Sequence, residues 1–332
     1  MFDRLSSCLP EPQNGTPLST FLPSYMKNKA LLFGIIVVAA VGSIALFATR
    51  DTSEVAVNEG VYCSSDGTLA DTMPIQSHRS YCLKTDSDGK AYATGTPNEY
   101  AFSVVDDQGN TLKDFAITHT KPMHVIVVRN DLANFQHVHP TYDKVTGIFT
   151  LKDLTFPADG PYRVFADFAP ADGMKDPMGA PLPVTISETV SVGSNYDPQP
   201  IGSEEKMKIF DGYQVSLVTD GAIMSGAELK LRFGILQNGK PVTDLQPYLG
   251  ALGHGVILRE GTLDFIHAHP IEVQDQNGTV SFVVRFPEAG KYKVFTQFQR
   301  EGRVFTTDFV VPVEQGSSAP NVSMPGMNHS MH

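Results

Sequence analysis

The chain repeats itself, and this constrains its fold more than any other feature. Residues 124–140 read HVIVVRNDLANFQHVHP and residues 254–270 read HGVILREGTLDFIHAHP. The offset of 130 residues, from His124 to His254, holds without a gap from Gly109 and Gly239 to Phe168 and Phe298. It carries Arg129 onto Arg259, Phe135 onto Phe265, and Tyr162, Val164 and Phe165 onto Tyr292, Val294 and Phe295. A duplicated domain is the simplest explanation.

Each copy reads as all-β. AFSVVDDQGNTLKDF and LRFGILQNGKPVTDL are strand, glycine turn, strand. GPYRVFADF, GKYKVFTQF, VTISETVSV near 184–192 and VFTTDFVVPV near 304–313 alternate as strands do. Short strands separated by turns predict two tandem β-sandwiches of immunoglobulin or cupredoxin type. Copy one carries an extra loop, PADGMKDPMGAPLP, and GSNYDPQPIGSEEK reads as the linker.

Residues Ala30 to Ala48 form an uncharged run as long as a bilayer core is thick. Lys27 and Lys29 precede it, which places the N-terminus in the cytoplasm. An uncleaved signal anchor is expected, with a cleaved signal as the alternative because Ala45 and Ala48 are small. The expected division is a cytoplasmic segment 1–29, a transmembrane helix 30–49 and an extracytoplasmic segment 50–78. Repeat one follows at 79–194, repeat two at 195–315 and a flexible tail at 316–332. Cys63 and Cys82 then both lie in an oxidising compartment, where they are expected to form a disulfide. The net charge of −11 argues against a nucleic-acid partner.

Strand alternation puts His124, Ile126 and Val128 on one face of a strand, and Phe135, His137 and His139 on one face of the next. With Val128 opposite Phe135 in a hairpin, Ile126 faces His137 and His124 faces His139. The second copy repeats this with His254, His267 and His269. Arg129 is expected to face solvent and Phe135 the sandwich core, which sends all three histidines of each copy toward that core. Three clustered imidazoles repel when protonated and need partners when neutral, and a shared metal ion resolves both problems. The rival is a set of histidines that only caps the core through hydrogen bonds. A fourth ligand common to both copies is not visible, because Asp167 aligns with Gln297 and Met123 with Gly253. His78 and His119 have no repeat partner and read as solvated loop residues.

The tail, MPGMNHSMH, gathers Met324, Met327, His329, Met331 and His332. Thioethers with imidazoles favour Cu(I) over Zn(II), so copper as Cu(I) or Cu(II) is the expected ion, with zinc the alternative.

The HVHP and HAHP blocks, the approach Asp244–His254 and the strands Phe156–Phe168 and Phe286–Phe298 resemble a bacterial group related to YtkA-like domain proteins. The resemblance covers both repeats, and copy one departs from it in ITHTKPMH at 117–124. It implies an extracytoplasmic protein of the bacterial cytoplasmic membrane, periplasmic or extracellular in its folded part and associated with copper handling. A copper transporter or chaperone is the implied partner. Copper binding, tolerance or delivery without catalysis is therefore the expected function. A metal-dependent enzyme with an open three-histidine site is one alternative, although no general base has a repeat-consistent placement and no nucleophile elbow or HExxH is visible. A metal-free structural or adhesive sandwich pair is the other.

Overall fold

A computed structural model describes residues 61–63, 81–85, 90–271, 275 and 277–316. The expected membrane span, His78 and the tail donors Met324, Met327, His329, Met331 and His332 lie outside the described residues. Among the described residues no helix is long and apolar enough to cross a membrane. All of them belong to one compact unit, Glu54–His332.

The described chain is all-β. Repeat one contains β1 (Val61–Cys63), β2 (Tyr81–Thr85), β3 (Pro97–Asp106), β4 (Phe115–Ala116) and β5 (His124–Arg129). It continues with β6 (Gln136–Val138), β7 (Thr141–Asp143), β8 (Ile148–Thr155), β9 (Gly160–Pro170) and β10 (Val184–Val192). Repeat two contains β11 (Met207–Phe210), β12 (Tyr213–Val218), β13 (Ile223–Met224), β14 (Glu228–Gln237) and β15 (Lys240–Pro241). After these come β16 (His254–Arg259), β17 (Phe265–Pro270), β18 (Thr279–Arg285), β19 (Gly290–Arg300) and β20 (Arg303–Glu314). The stretch between Val192 and Met207 has no strand, as its composition predicts.

Repeat one packs a sheet of order β1-β2-β3-β8-β7 against a sheet of order β10-β9-β5-β6. Tyr100, Phe102, Val125, Val127, Phe149, Val164 and Phe168 fill the space between them. In repeat two the strands form one continuous path, because β17 pairs with β16 along Gly255–Leu258 and with β18 at His269 and Pro270. Its core is built on Phe233, Phe282, Phe286, Phe298 and Phe309. The predicted hairpin register holds in both copies: Ile126 pairs with His137, Val256 with His267, and Leu258 with Phe265. Cys63 and Cys82 are opposed in the β1–β2 pair.

The expected direction of the histidine face does not hold. In β5 the odd residues Val125 and Val127 enter the sandwich core. The even residues Ile126 and Val128 enter a third cluster, with Phe165, Val256, Leu258, Phe295, Val310 and the linker residue Ile201. That cluster lies between the repeats. Phe135 stacks on Phe295 with ring centroids 4.2 Å apart, and Phe165 lies 5.1 Å from Phe265. The two contacts are the same contact exchanged between copies, which gives the junction an approximate two-fold symmetry. Both faces of β5 are apolar, so alternation alone did not tell which face was the sandwich core. Arg129, expected in solvent, is only 5% exposed. It forms a two-pronged pair with Asp131, whose Oδ2 also accepts the Gln199 backbone N–H at 2.8 Å and so fixes the linker.

Candidate metal centre between the two repeats

The histidines stand at one end of this junction. His124 and His254 open β5 and β16, and both are buried because each repeat covers the other. The ring centroids of His124 and His254 are 5.5 Å apart, those of His137 and His254 4.9 Å, and those of His124 and His267 6.5 Å. His254 and His267 of the second predicted triad therefore join the first triad in one cluster, rather than forming a site in a separate core. His269 lies in β17, opposite Val283 of β18.

Hydrogen bonding at the rim decides where the ring protons sit. His124 Nε2 is 3.1 Å from the Thr118 carbonyl, which only accepts, so the proton is on Nε2 and Nδ1 presents a lone pair. That Nδ1 lies 3.1 Å from His137 Nε2 and 3.1 Å from His139 Nε2. On the far side of His137, Nδ1 donates to Gln297 Oε1 at 2.7 Å, and Gln297 Nε2 donates to Thr306 Oγ1. His137 Nε2 is then also a lone pair turned inward. Two lone pairs face each other at a distance that a shared cation would make attractive. Nitrogens bound to one tetrahedral ion at 2.0–2.1 Å are about 3.3 Å apart.

The second copy has a related arrangement. His267 Nε2 is 2.9 Å from His254 Nε2, and His267 Nδ1 is 2.9 Å from Asp167 Oδ2. Asp167 and Gln297, set aside in the sequence because they differ, are equivalent by the 130-residue offset. Each reaches across the junction to the HxH histidine of the other repeat. Such partners fix the tautomer and orientation of metal-binding imidazoles. Burial would raise the Asp167 carboxyl, but its contact with His267 Nδ1, with Thr185 donating at 2.9 Å, holds it below the usual carboxylate range. A buried carboxylate therefore stands directly behind one of the imidazoles.

The rings themselves resist protonation. Burial, then neighbouring His139, holds His137 down at about 3. Burial and then His124 hold His139 at about 4. His124 is lowered mainly by burial, and His254 falls far below the ordinary imidazole range through burial and His267. Neutral imidazoles are what a metal ion requires. Nitrogen atoms of His124, His137 and His254 all lie within 4.8 Å of one another, so a three-donor set already draws on both repeats.

One neighbour was missed in the sequence. His119, read as a solvated loop residue, is half-buried, with its ring 5.4 Å from both His254 and His267. Its aligned residue in repeat two is Leu249, so a search for paired histidines passes over it.

The model of the family described as "Domain of unknown function (DUF8832)" matches this sequence twice, over residues 80–177 and 207–315. No curated protein matches. Among solved structures, Escherichia coli alpha-2-macroglobulin activated by porcine elastase is similar at 13% identity and a TM-score of 0.23. The match covers 71% of this chain and 23% of that one. The I-band fragment I67-I69 from titin is 9% identical with a TM-score of 0.19, covering 72% of this chain and 67% of the fragment. Domains 4 and 5 of the S-layer protein SbsC are 9% identical with a TM-score of 0.20, covering 70% and 96%.

Proposed function

We propose that this chain, which belongs to the DUF8832 family and carries that domain twice, is a metal-binding protein whose ion sits among the histidines at the repeat junction. The observation that carries the reading is the pair of inward lone pairs on His124 Nδ1 and His137 Nε2, 3.1 Å apart in a buried, neutral cluster. His139, His254 and His267 supply further imidazoles around them. The function is copper handling by ligand exchange. Met324, Met327, His329, Met331 and His332 act as a soft capture or delivery arm, and a copper transporter or chaperone is the partner. A single anchor at 30–49 holds the protein at a bacterial cytoplasmic membrane with both repeats outside. The register of Cys63 opposite Cys82 supports a disulfide between them. The resemblance to YtkA-like proteins points the same way.

The test is thermal unfolding of the purified full chain with added Cu(II), with Zn(II) and with EDTA. An ion that binds only the folded state stabilises it by about 2.7 kcal/mol at a hundred times its dissociation constant. A rise in Tm with copper, reversed by EDTA, is expected. A Tm indifferent to both metals and to chelator would leave the histidines a purely structural role.

A further inference from the structure

We infer that the junction holds two ions rather than one, and that the second is bound by a triad no repeat predicts: His119 from repeat one with His254 and His267 from repeat two. This rests on the metal-binding reading above and extends it.

The ring positions fall into two triangles. His124, His137 and His139 have centroid separations of 5.3, 4.9 and 4.8 Å. His119, His254 and His267 have separations of 5.4, 5.4 and 4.6 Å. Imidazoles bound to one tetrahedral ion through nitrogens at 2.0–2.1 Å have ring centres about 5.2 Å apart. Both triangles match that spacing. The ring of His119 lies farther from His124, at 5.9 Å, than from either member of its own triangle.

The triangles differ in three ways. The first is built from one repeat, whereas the second spans both, so filling it ties the repeats together. The second has a carboxylate behind it, Asp167 on His267, where the first has the neutral amide of Gln297 on His137. Finally, the backbone turn that delivers His119 is not specific to histidine. His119 and Thr120 have φ of 48° and 68°, and their counterparts Leu249 and Gly250 have 54° and 85°. The same left-handed turn thus presents a donor in one copy and a buried aliphatic side chain in the other. The carboxylate lowers the net charge of a filled second site, which suits a dication there. The all-imidazole first site suits Cu(I) as well. His254 also approaches His137 and His124, so the two ions are close neighbours.

The experiment uses the full chain with Met324, Met327, His329, Met331 and His332 all changed to Ala, so that tail binding does not enter the count. This protein is loaded with Cu(II), desalted and analysed for metal content and by electron paramagnetic resonance. The expected result is two ions per chain with a spectrum broadened by magnetic coupling. In the same background His119→Leu, which installs the residue repeat two already uses in this turn, is expected to hold one ion with an uncoupled spectrum. His139→Leu is expected to hold one ion as well, retained by the His119 triad. One ion in the parent, or two unchanged ions in His119→Leu, overturns this inference and leaves metal binding at the junction intact. No ion in the parent overturns both.

Discussion

The two repeats share a frame and differ in what they place in it. Strands β5 and β16, β9 and β19, and the hairpins that follow β5 and β16 superimpose in sequence at one offset, and they meet each other through exchanged phenylalanine contacts. Elsewhere the copies diverge. Repeat one joins β9 to β10 by a long excursion, whereas repeat two turns from β19 to β20 at Glu301 and Gly302. Both of those have positive φ, as a tight two-residue hairpin requires. Repeat one has Met123 and Val125 where repeat two has Gly253 and Gly255, and the rings of Phe282 and Phe298 occupy the space beside those glycines. At the centre itself, repeat one supplies Asp167 and His119 against Gln297 and Leu249. The comparison teaches that duplication built the junction, and that later divergence made its two halves chemically unequal.

Acid should disrupt this arrangement most severely. His119, His137 and His139 titrate at about 4, 3 and 4 in the fold, and near 6.5 in the unfolded chain. Between those limits the unfolded state binds more protons, so stability rises with pH and is lost as pH falls from about 6.5 toward about 4. Denaturation midpoints measured across that range should fall with several protons taken up. His137→Gln should flatten the dependence. A midpoint flat between pH 7 and 4 would mean that the histidines are not buried against each other.

Next come the exchanged aromatic contacts. Phe165→Ala and Phe295→Ala should each cost about 3–5 kcal/mol. Each should shift one cooperative transition of both repeats in denaturant. If either substitution instead splits the curve, with one repeat unaffected, the repeats are independent and the shared centre is in doubt.

Gly255→Ala tests the packing difference. Its added carbon would lie 3.1 Å from Ala268 Cβ and 3.2 Å from the Phe282 ring. Overpacking of about 1–3 kcal/mol is expected, measured by chemical denaturation. A neutral result would show that β16 and β17 have room to separate.

The smallest predicted change is the most informative about charge. Asp167→Asn should weaken metal affinity about 10–100-fold, the usual effect of losing a partner that orients a ligand. Gln297→Glu should strengthen it by giving the first triad the same carboxylate support. Equal and opposite changes by calorimetric titration would confirm that this aligned pair sets the inequality. No change in either would remove both residues from the account.

Much of this was legible in the sequence. The period-two patterns located the strands, and setting Val128 opposite Phe135 across a short hairpin gives the observed pairing of Ile126 with His137. The two-copy organisation came directly from the offset. The destination of the histidine face did not, because Ile126 and Val128 are as apolar as Val125 and Val127, and only tertiary packing separates a sandwich core from a junction. Arg129 was misplaced for the same reason: a charge next to an apolar strand reads as solvent-facing until Asp131 is seen beside it. Asp167 and Gln297 differ in identity, so a rule that requires the same ligand in both copies does not reveal their shared role. The useful signal was that both copies carry a polar residue at the same aligned position of β9 and β19. His119 is visible only as a departure from the repeat, which a search for repetition discards.

The central claim is that both repeats jointly build one metal centre. Its most direct test is the metal content of the tail-substituted full chain after Cu(II) loading and desalting, compared with the same chain carrying His137→Ala and His267→Ala. The account predicts tightly bound copper in the first and none in the second, with the fold retained by circular dichroism. Equal copper in the two proteins would contradict it.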